Sequence, residues 1–243
     1  MVDNSNCFKP YIINWPELVP GILLKRYKRF LADVRLNDGE VVTAHCANSG
    51  SMLECSTPGS KVFLSRSDNP KRKLKFTWEL IEMPGSLVGV NTGVPNKFVK
   101  DAIMSEQIEE LTGYDFAKPE VKTSDGSRLD LMLKKKDEET CYIEIKNCSL
   151  VKDGIASFPD AVTTRGQKHL GELARLKKLG NRAVNFYLIQ RMDAERFCPA
   201  VSIDPEYAEK LKTVEKKGVE ILVYDTIIDP KGIKLGRRLP VDL

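Results

Sequence analysis

The chain has 243 residues, of which 42% are hydrophobic and 30% are charged, and its formal net charge is +4. This composition excludes a disordered chain and fits one large domain or two smaller ones. No run approaches the roughly 18 apolar residues of a membrane-spanning helix, and the N-terminus shows no basic segment followed by an apolar core. The six cysteines are far apart and form no C-x-x-C pair, so we expect reduced thiols in a cytoplasmic protein.

The first third of the chain has the pattern of short β-strands. Residues 29–46 form two β-rich runs joined by Asn37-Asp38-Gly39, which is a hairpin signal. Further strand-like runs follow at 61–68, 76–83 and 86–91, while "HCANSGSM" (45–52) has the composition of a loop. About five short strands in roughly 80 residues predict a small β-barrel, for which an OB-like fold is the obvious candidate.

Positive charge is concentrated in this first part. Residues 1–100 contain 14 Lys/Arg against 9 Asp/Glu, with basic clusters in "LLKRYKRF" (23–30) and "NPKRKLKFTW" (69–78). Cations beside aromatic rings are typical of nucleic-acid binding, because the cations neutralise phosphates and the rings stack on bases. Solvated loops or strand edges protected by lysine would give the same pattern. The candidate nucleic-acid-binding residues are Lys25, Arg26, Tyr27, Arg29, Lys71, Arg72, Lys73 and Lys75.

The periodicity becomes helical near Thr92–Lys97, which predicts one domain over 1–92 and a second over 93–243. The second part has helical patterns at 97–114, 163–180 and 205–218, and strand patterns at 120–123, 127–134, 141–147, 183–190 and 219–228. The order α-β-β-β-α-β-α-β indicates a mixed sheet flanked by helices, so the whole chain is of the α/β (α+β) class.

The two strands at 127–134 and 141–147 predict an antiparallel hairpin centred on Asp137. This register pairs apolar residues on one face and charged residues on the other: Leu129 with Ile145, Leu131 with Ile143, Leu133 with Cys141, Asp130 with Glu144, and Arg128 with Lys146. A slip of one residue would turn the leucines towards the polar side.

Two carboxylates directly opposite each other repel, and something must offset the repulsion. A divalent cation would do so, since Mg²⁺ or Mn²⁺ binds hard carboxylate oxygens. Lys146 points to the same face as Glu144, where it can orient a water molecule or stabilise charge on a phosphate. The other interpretation is a surface lattice of diagonal salt bridges, Arg128–Glu144 and Asp130–Lys146.

The spacing of Asp130, thirteen residues and then Glu144-Ile145-Lys146 resembles the core of the PD-(D/E)XK nucleases, although Leu129 stands where that motif has proline. A broader resemblance, to the sugar fermentation stimulation protein A (SfsA) family, extends over nearly the whole chain. It rests on "LLKRYKRFLADV", "HCANSGSM", "SDNPKRKLKFTWEL", "SRLDLML", "CYIEIKN" and "FPDAVTTRGQKHLGEL", in this order. This resemblance implies DNA binding, an N-terminal OB-like domain and a C-terminal nuclease-like domain.

The resemblance implies roles for particular residues. Asp130 and Glu144 match the metal-binding acids and Lys146 the catalytic lysine, and Glu120 either supplies a third carboxylate or is a strand-edge charge. A helix N-terminus can hold phosphate through its free amides. The candidate phosphate or substrate contacts near the hairpin and the helix at 163–180 are Arg128, Arg165, Gln167, Lys168 and His169.

We therefore expect a DNA-binding protein with a Mg²⁺-dependent (or Mn²⁺-dependent) site for phosphodiester hydrolysis. The alternative is a DNA-binding regulator of sugar metabolism genes whose nuclease-like fold does not cleave. A third interpretation, a carbohydrate-linked enzyme, has no acid–base pair outside the hairpin to support it.

Overall fold

The structure is a computed structural model that describes residues 12–124, 126–136 and 140–243. Asp137, the predicted centre of the hairpin, lies outside these residues. Among the described residues, no helix has the length and apolar character needed to cross a bilayer. The N-terminal strands are β1 Ile12–Asn14, β2 Leu18–Tyr27, β3 Leu31–Leu36, β4 Val41–Cys46, β5 Lys61–Arg66, β6 Phe76–Met83 and β7 Ser86–Gly89.

Strands β2 to β6 form a closed barrel. They are hydrogen-bonded in the order β4-β3-β2-β5-β6, and a parallel pairing between β4 and β6 closes the ring, while β7 is added beside β6. Inward and outward side chains alternate along these strands, and the inward ones fill the interior, where Trp78, Leu23 and Leu64 are fully buried. The OB-like barrel predicted from the strand pattern is confirmed.

Strand β2 was missed by the sequence pattern, and it contains the first basic cluster. Its glycine, Gly21, is required by close packing, since a Cβ there would lie 2.5 Å from Val34 Cγ1 and 2.8 Å from the Arg35 carbonyl oxygen. Pairing with β3 shifts between Leu23 and Lys25, which marks a bulge in the strand. The barrel therefore has a strand where a basic loop would also have fitted the sequence.

The second part contains three α-helices and further strands among the described residues. They are α1 Val94–Met104, β8 Phe116–Ser124, β9 Ser127–Lys134, β10 Cys141–Cys148, β11 Leu150–Lys152, β12 Ile155–Phe158, α2 Thr164–Lys178, β13 Arg182–Ile189, β14 Arg196–Pro199, α3 Pro205–Lys216, β15 Glu220–Ile228 and β16 Gly232–Arg238. The predicted α-β-β-β-α-β-α-β order and mixed sheet are confirmed. The short strands β11, β12 and β14, which form a small separate sheet, and the strand β16 were not predicted.

The main sheet has seven strands in the order β1-β16-β15-β13-β10-β9-β8. Strand β1 thus pairs with β16 and not with the barrel, so residues 12–14 depart from the predicted domain over 1–92. The close approach of β1 to β16 is possible because Gly232 has no side chain, since a Cβ there would lie 2.8 Å from the Ile13 carbonyl oxygen. Ile13 and Trp15 pack against the apolar core on the same sheet.

Each face of the main sheet has its own apolar core. One core contains α1 residues such as Phe98 together with Leu131 and Ile143, and the other contains residues of α2 and α3 such as Leu173 and Tyr207. The sheet is therefore covered on both faces, as expected for parallel central strands.

The predicted hairpin register is confirmed for three pairs, Cys141–Leu133, Tyr142–Met132 and Ile143–Leu131. Beyond them the Ile145 amide donates a hydrogen bond to the Asp130 carboxylate at 2.8 Å. Leu129 packs in the core under α2, whereas Leu131 and Leu133 pack in the core under α1. The prediction of one uniform apolar face is thus wrong for Leu129, because regular pairing with β10 ends at Leu131.

Candidate functional site

The acid Glu144 lies at the centre of a buried polar cluster. It is on β10 with only 2% of its surface exposed, and Lys146, two residues further along the strand, lies on the same face. The Lys146 ammonium donates to Glu144 Oε1 at 2.5 Å, and His169 Nδ1 of α2 contacts the same oxygen. Lys146 Nζ and His169 Nδ1 are 3.4 Å apart. Two donors therefore fix one oxygen of the Glu144 carboxylate.

The second acid, Asp130 on β9, is held by two other donors. Asn96, near the start of α1, donates from Nδ2 to Oδ1 at 3.0 Å, and the backbone amide of Ile145 donates to Oδ2 at 2.8 Å. Asn96 was not among the predicted site residues. Nothing in its spacing marked it, since it comes from a helix 34 residues earlier in the chain.

The two carboxyl groups differ in their electrostatic environment. Burial raises the pKa of Asp130, and the nearby charge of Glu144 raises it further. Burial alone would also raise the pKa of Glu144, but the hydrogen bond from His169 and the charge of Lys146 outweigh it and hold that pKa below its usual value. A cation between the two acids would relieve the repulsion that remains.

One oxygen of this pair has no protein donor. Glu144 Oε2 is buried and has no hydrogen-bond partner among the described residues. Leaving a buried carboxylate oxygen unpaired is costly, and a hard cation is a partner that this oxygen could bind. The same described residues contain no group of three or more His, Cys, Asp or Glu side chains arranged around one metal position. The protein therefore offers two carboxylates, which is enough for Mg²⁺ or Mn²⁺ if water and substrate complete the shell.

Glu120 is not brought to this pair. Its side chain is 58% exposed and its Oε2 lies 3.3 Å from Arg128 Nη1, and neither residue lines the cleft described below. Glu120 has a φ of 55°, a left-handed conformation in the middle of β8 that interrupts the pairing with β9 opposite Asp130. Of the two alternatives for Glu120, a third carboxylate ligand or a strand-edge charge, the structure has the second, in a surface ion pair with Arg128. The alternative salt-bridge lattice is wrong in its pairs, because Arg128 contacts Glu120 and Lys146 contacts Glu144.

A cleft of about 720 Å³ opens in front of the acids, between the barrel and the main sheet. Asp130, Glu144 and Lys146 line it from the sheet side, and the barrel contributes Arg26 and Arg29. The loop at 48–51 and the segment at 157–163 form much of the remaining wall. Part of the first basic cluster therefore faces the same space as the acid pair.

Arg26 is held by the protein itself. Its guanidinium donates to the carbonyl oxygens of Asn48 at 2.8 Å, Gly50 at 2.9 Å and Ser51 at 3.2 Å. Arg26 thus fixes the loop that forms the barrel side of the cleft, a role that sequence reasoning did not foresee. Arg29 is exposed at the cleft.

The other predicted basic residues lie outside the cleft. Lys25 contacts Asp33 at 3.5 Å and lies over the Tyr27 ring. The second cluster is in the connection between β5 and β6, where Arg72 donates to Thr77 Oγ1 and Lys75 to a backbone carbonyl. Its members Lys71, Arg72, Lys73 and Lys75 do not line the cleft.

Two of the predicted phosphate contacts, Gln167 and Lys168, hold the start of α2 in place together with Thr163. Thr163 caps the helix by accepting from the Gly166 amide, and Gln167 donates to Asp204 at the start of α3 at 3.0 Å. Lys168 donates to the Gly126 carbonyl at 2.7 Å, while Arg165 is exposed and lines the cleft. The five candidates therefore have different surroundings, and His169 among them contacts Glu144.

A closed OB-like barrel joined to a mixed α/β sheet that carries an Asp–Glu–Lys site defines a nuclease-like protein. Residues 24–90 match the family described as "SfsA N-terminal OB domain", and residues 93–232 match the "Sugar fermentation stimulation protein RE domain". The chain belongs to the sugar fermentation stimulation protein (SfsA) family, as the resemblance implied.

Relatives and one solved structure support this assignment. The sugar fermentation stimulation protein homolog of Geotalea uraniireducens (strain Rf4) is 52% identical over 224 residues, which cover 92% of this chain and 96% of the relative. The homolog of Geobacter sulfurreducens is 51% identical with the same coverage. The structure of Pyrococcus furiosus SfsA in complex with Ca²⁺ has a TM-score of 0.88 and 27% identity, and covers 95% of this chain and 98% of that one.

Proposed function

We propose that the protein is a nuclease that hydrolyses phosphodiester bonds of nucleic acid, with DNA as the substrate and Mg²⁺ or Mn²⁺ as the cofactor. The observation that carries the proposal is the unpartnered, buried Oε2 of Glu144 beside the second carboxylate of Asp130. The related SfsA of Pyrococcus furiosus was solved with Ca²⁺, a cation that also prefers oxygen ligands.

In this proposal Asp130 and Glu144 would hold the cation. The cation would polarise the phosphate and make a bound water molecule more acidic. The acids are oriented before substrate arrives, because Asn96 and the Ile145 amide fix Asp130, and Lys146 and His169 fix Glu144. Such preorganisation removes the need to reorient charge during the reaction.

Lys146 is the proposed catalytic lysine. Its side chain is only 13% exposed and its ammonium sits within hydrogen-bond distance of a metal-holding acid, at the wall of the cleft. There it can stabilise negative charge that develops on the phosphate or orient the attacking water. His169, by contrast, is proposed as a positioning residue that acts through Glu144.

The proposal of nucleic acid as the substrate rests on the charge around the cleft. Arg29 comes from the barrel and Arg165 from α2, so cations stand on two sides of the acid pair. Cationic walls attract the phosphates of a polynucleotide.

Two further parts of the proposal concern the chain as a whole. We propose a domain boundary between residues 92 and 93, supported by the family matches that end at 90 and begin at 93. We also propose a cytoplasmic location, supported by free thiols at every cysteine that the structure describes.

The metal site is tested by calorimetry with MnCl₂ and MgCl₂ on the wild type, Asp130→Asn and Glu144→Gln. Both variants should lose most of the binding heat, because each removes a charged oxygen ligand. Glu209→Gln, the same chemical change on the exposed side of α3, is the matched control and should bind as the wild type does. Wild-type metal affinity in both site variants would refute the metal site.

Catalysis is tested on single- and double-stranded DNA and RNA with either metal. Lys146→Ala should slow cleavage by about 10²–10³-fold, the typical loss when one charge-stabilising group is removed, while binding of the same substrates stays close to that of the wild type. A wild type that binds nucleic acid and metal but cuts none of the four substrates would favour the non-cleaving regulator. Equal cleavage by wild type and Lys146→Ala would place the chemistry elsewhere.

A further inference from the structure

A second groove, of about 520 Å³, lies beside the cleft at the start of α2. Four exposed cationic side chains line it, Lys122 from β8, Arg128 from β9, and Arg165 and Lys168 from α2. No acidic residue of the described part of the chain lines it. This basic groove, as we call the space lined by these four residues, therefore has more cations than anions among its described lining residues, although residues 101–243 contain 24 Lys/Arg against 25 Asp/Glu.

The four cations come from three segments, β8, β9 and α2, which local contacts hold together. Lys168 donates to the Gly126 carbonyl at 2.7 Å and so ties α2 to the turn between β8 and β9. Arg128 contacts Glu120 at 3.3 Å, but that pair is exposed and offsets little of the charge. The first turn of α2 adds the positive end of the helix dipole at Thr164. Like charges gathered this way repel each other, and a polyanion would relieve the repulsion.

The basic groove and the cleft are connected. Arg165 lines both of them, and His169 lines the groove while its Nδ1 contacts Glu144 in the cleft. A chain of phosphates that passes the acid pair can therefore continue over Arg165 into the groove without leaving cationic surface. The groove lies one side chain away from the site where the proposed reaction takes place.

We propose that the basic groove binds the phosphate backbone of the substrate strand that flanks the bond to be cleaved. This inference rests on the proposed function for the identity of the strand, and it adds a second binding site. The protein then requires a substrate that extends beyond the cleft, and it holds the flanking part through phosphates and not through base edges.

The test measures binding in EDTA, so that it does not depend on metal or cleavage. Fluorescence anisotropy is recorded over a range of KCl with fluorescently labelled single-stranded DNA of about 4 and about 16 nucleotides, the span of site sizes for one OB fold. The variant is Lys122→Gln/Lys168→Gln. Its matched control is Lys216→Gln/Lys217→Gln, the same change in charge at the exposed end of α3. Thermal unfolding checks that all variants fold.

For the long strand, the slope of log affinity against log salt should fall by roughly 0.7 for each phosphate that the protein no longer neutralises, or about 1.4 for the double variant. The short strand should bind wild type and variant alike, and the control should keep the wild-type slope with both strands. Lys168→Arg should also keep it, since the charge remains. If the double variant does not fold, Lys122→Gln alone should reduce the slope by about half as much.

The outcomes separate this inference from the proposed function. An unchanged slope for the long strand in the folded double variant overturns the basic groove and leaves the cleft as the binding site. A reduced slope supports the groove even if the wild type cleaves nothing. A wild type that binds neither strand in EDTA overturns the basic groove. If it also binds no single- or double-stranded DNA or RNA in the presence of Mn²⁺, the proposed function is overturned as well.

Discussion

Replacing Arg26 by lysine distinguishes a loop clamp from a phosphate contact. In the sequence Arg26 belongs to a basic cluster, which favours direct binding of nucleic acid. In the structure its guanidinium donates to three carbonyl oxygens of the loop that lines the cleft, those of Asn48, Gly50 and Ser51. Lysine keeps the positive charge, but its N–H donors share one nitrogen, whereas Arg26 reaches the three carbonyl oxygens from the two separate nitrogens of its planar fork, a geometry that lysine does not reproduce.

The expected loss of stability follows from the burial of those bonds. The bonds to Asn48 and Gly50 are partly buried, and the one to Ser51 is exposed. At about 1 kcal/mol for each partly buried bond and little for the exposed one, Arg26→Gln should lower the unfolding free energy by about 2 kcal/mol. For a chain of this size that corresponds to a fall in Tm of about 4–8 °C. Arg26→Lys should lose at least half as much.

The assay is thermal and urea unfolding without metal, followed by the salt dependence of binding to DNA. Arg29→Lys and Arg29→Gln are the matched controls, because Arg29 is an exposed arginine in the same cleft. They should leave stability within about 0.5 kcal/mol of the wild type. If Arg26→Lys is as stable as the wild type while Arg26→Gln lowers the salt slope, Arg26 is a phosphate contact and the clamp is refuted.

Two further predictions concern the segments around the site. Gly50→Ala should lower the free energy of unfolding in urea by about 1–2 kcal/mol, because the added Cβ would lie 2.7 Å from Asp160 Oδ2 and displace this side chain, which accepts a hydrogen bond from the Met52 amide. A variant as stable as the wild type would show that the loop can shift freely. Asp204→Asn should cost about 1 kcal/mol near neutral pH, because asparagine can still cap α3 through one oxygen, whereas the carboxylate accepts from both the Tyr207 amide and the Thr163 amide. Burial alone would raise the pKa of Asp204, but hydrogen bonds from backbone amides hold it below its usual value. The contribution of Asp204 to the free energy of unfolding is therefore complete above about pH 4 and is lost as the pH falls through the lowered pKa. The difference between wild type and variant should shrink below about pH 4 in acid unfolding, and a constant difference would contradict this assignment.

Regular alternation made part of the fold predictable. The register of β9 and β10 follows from leucines and isoleucines at every second position, and the structure keeps it at Leu131–Ile143 and Leu133–Cys141. The local preferences of threonine and glycine predict a cap of α2 at Thr163 or Thr164 and a stop at Gly180, and the structure has the cap at Thr163 and the end of the helix before Gly180. These elements were predictable because local sequence and burial favour the same structure.

Other features depend on contacts between distant segments. Strand β2 contains Pro20, Gly21 and a run of basic residues, so its composition favours a loop, and only pairing with β3 and β5 makes it a strand. Strand β1 finds its partner β16 more than 200 residues away. The role of Arg26 depends in the same way on a loop that lies more than 20 residues further along the chain. No periodicity records such pairings.

The acid pair shows how the two kinds of information combine. The sequence places Asp130 opposite Glu144 and requires something to offset their repulsion, but it cannot say what does so. In the structure four donors, from Asn96, Ile145, Lys146 and His169, occupy three of the four carboxylate oxygens. The fourth, Glu144 Oε2, is buried without a partner among the described residues. A surface salt-bridge lattice would leave its free oxygens in water, whereas this oxygen is enclosed, which is the arrangement that a bound cation stabilises and that bulk solvent does not.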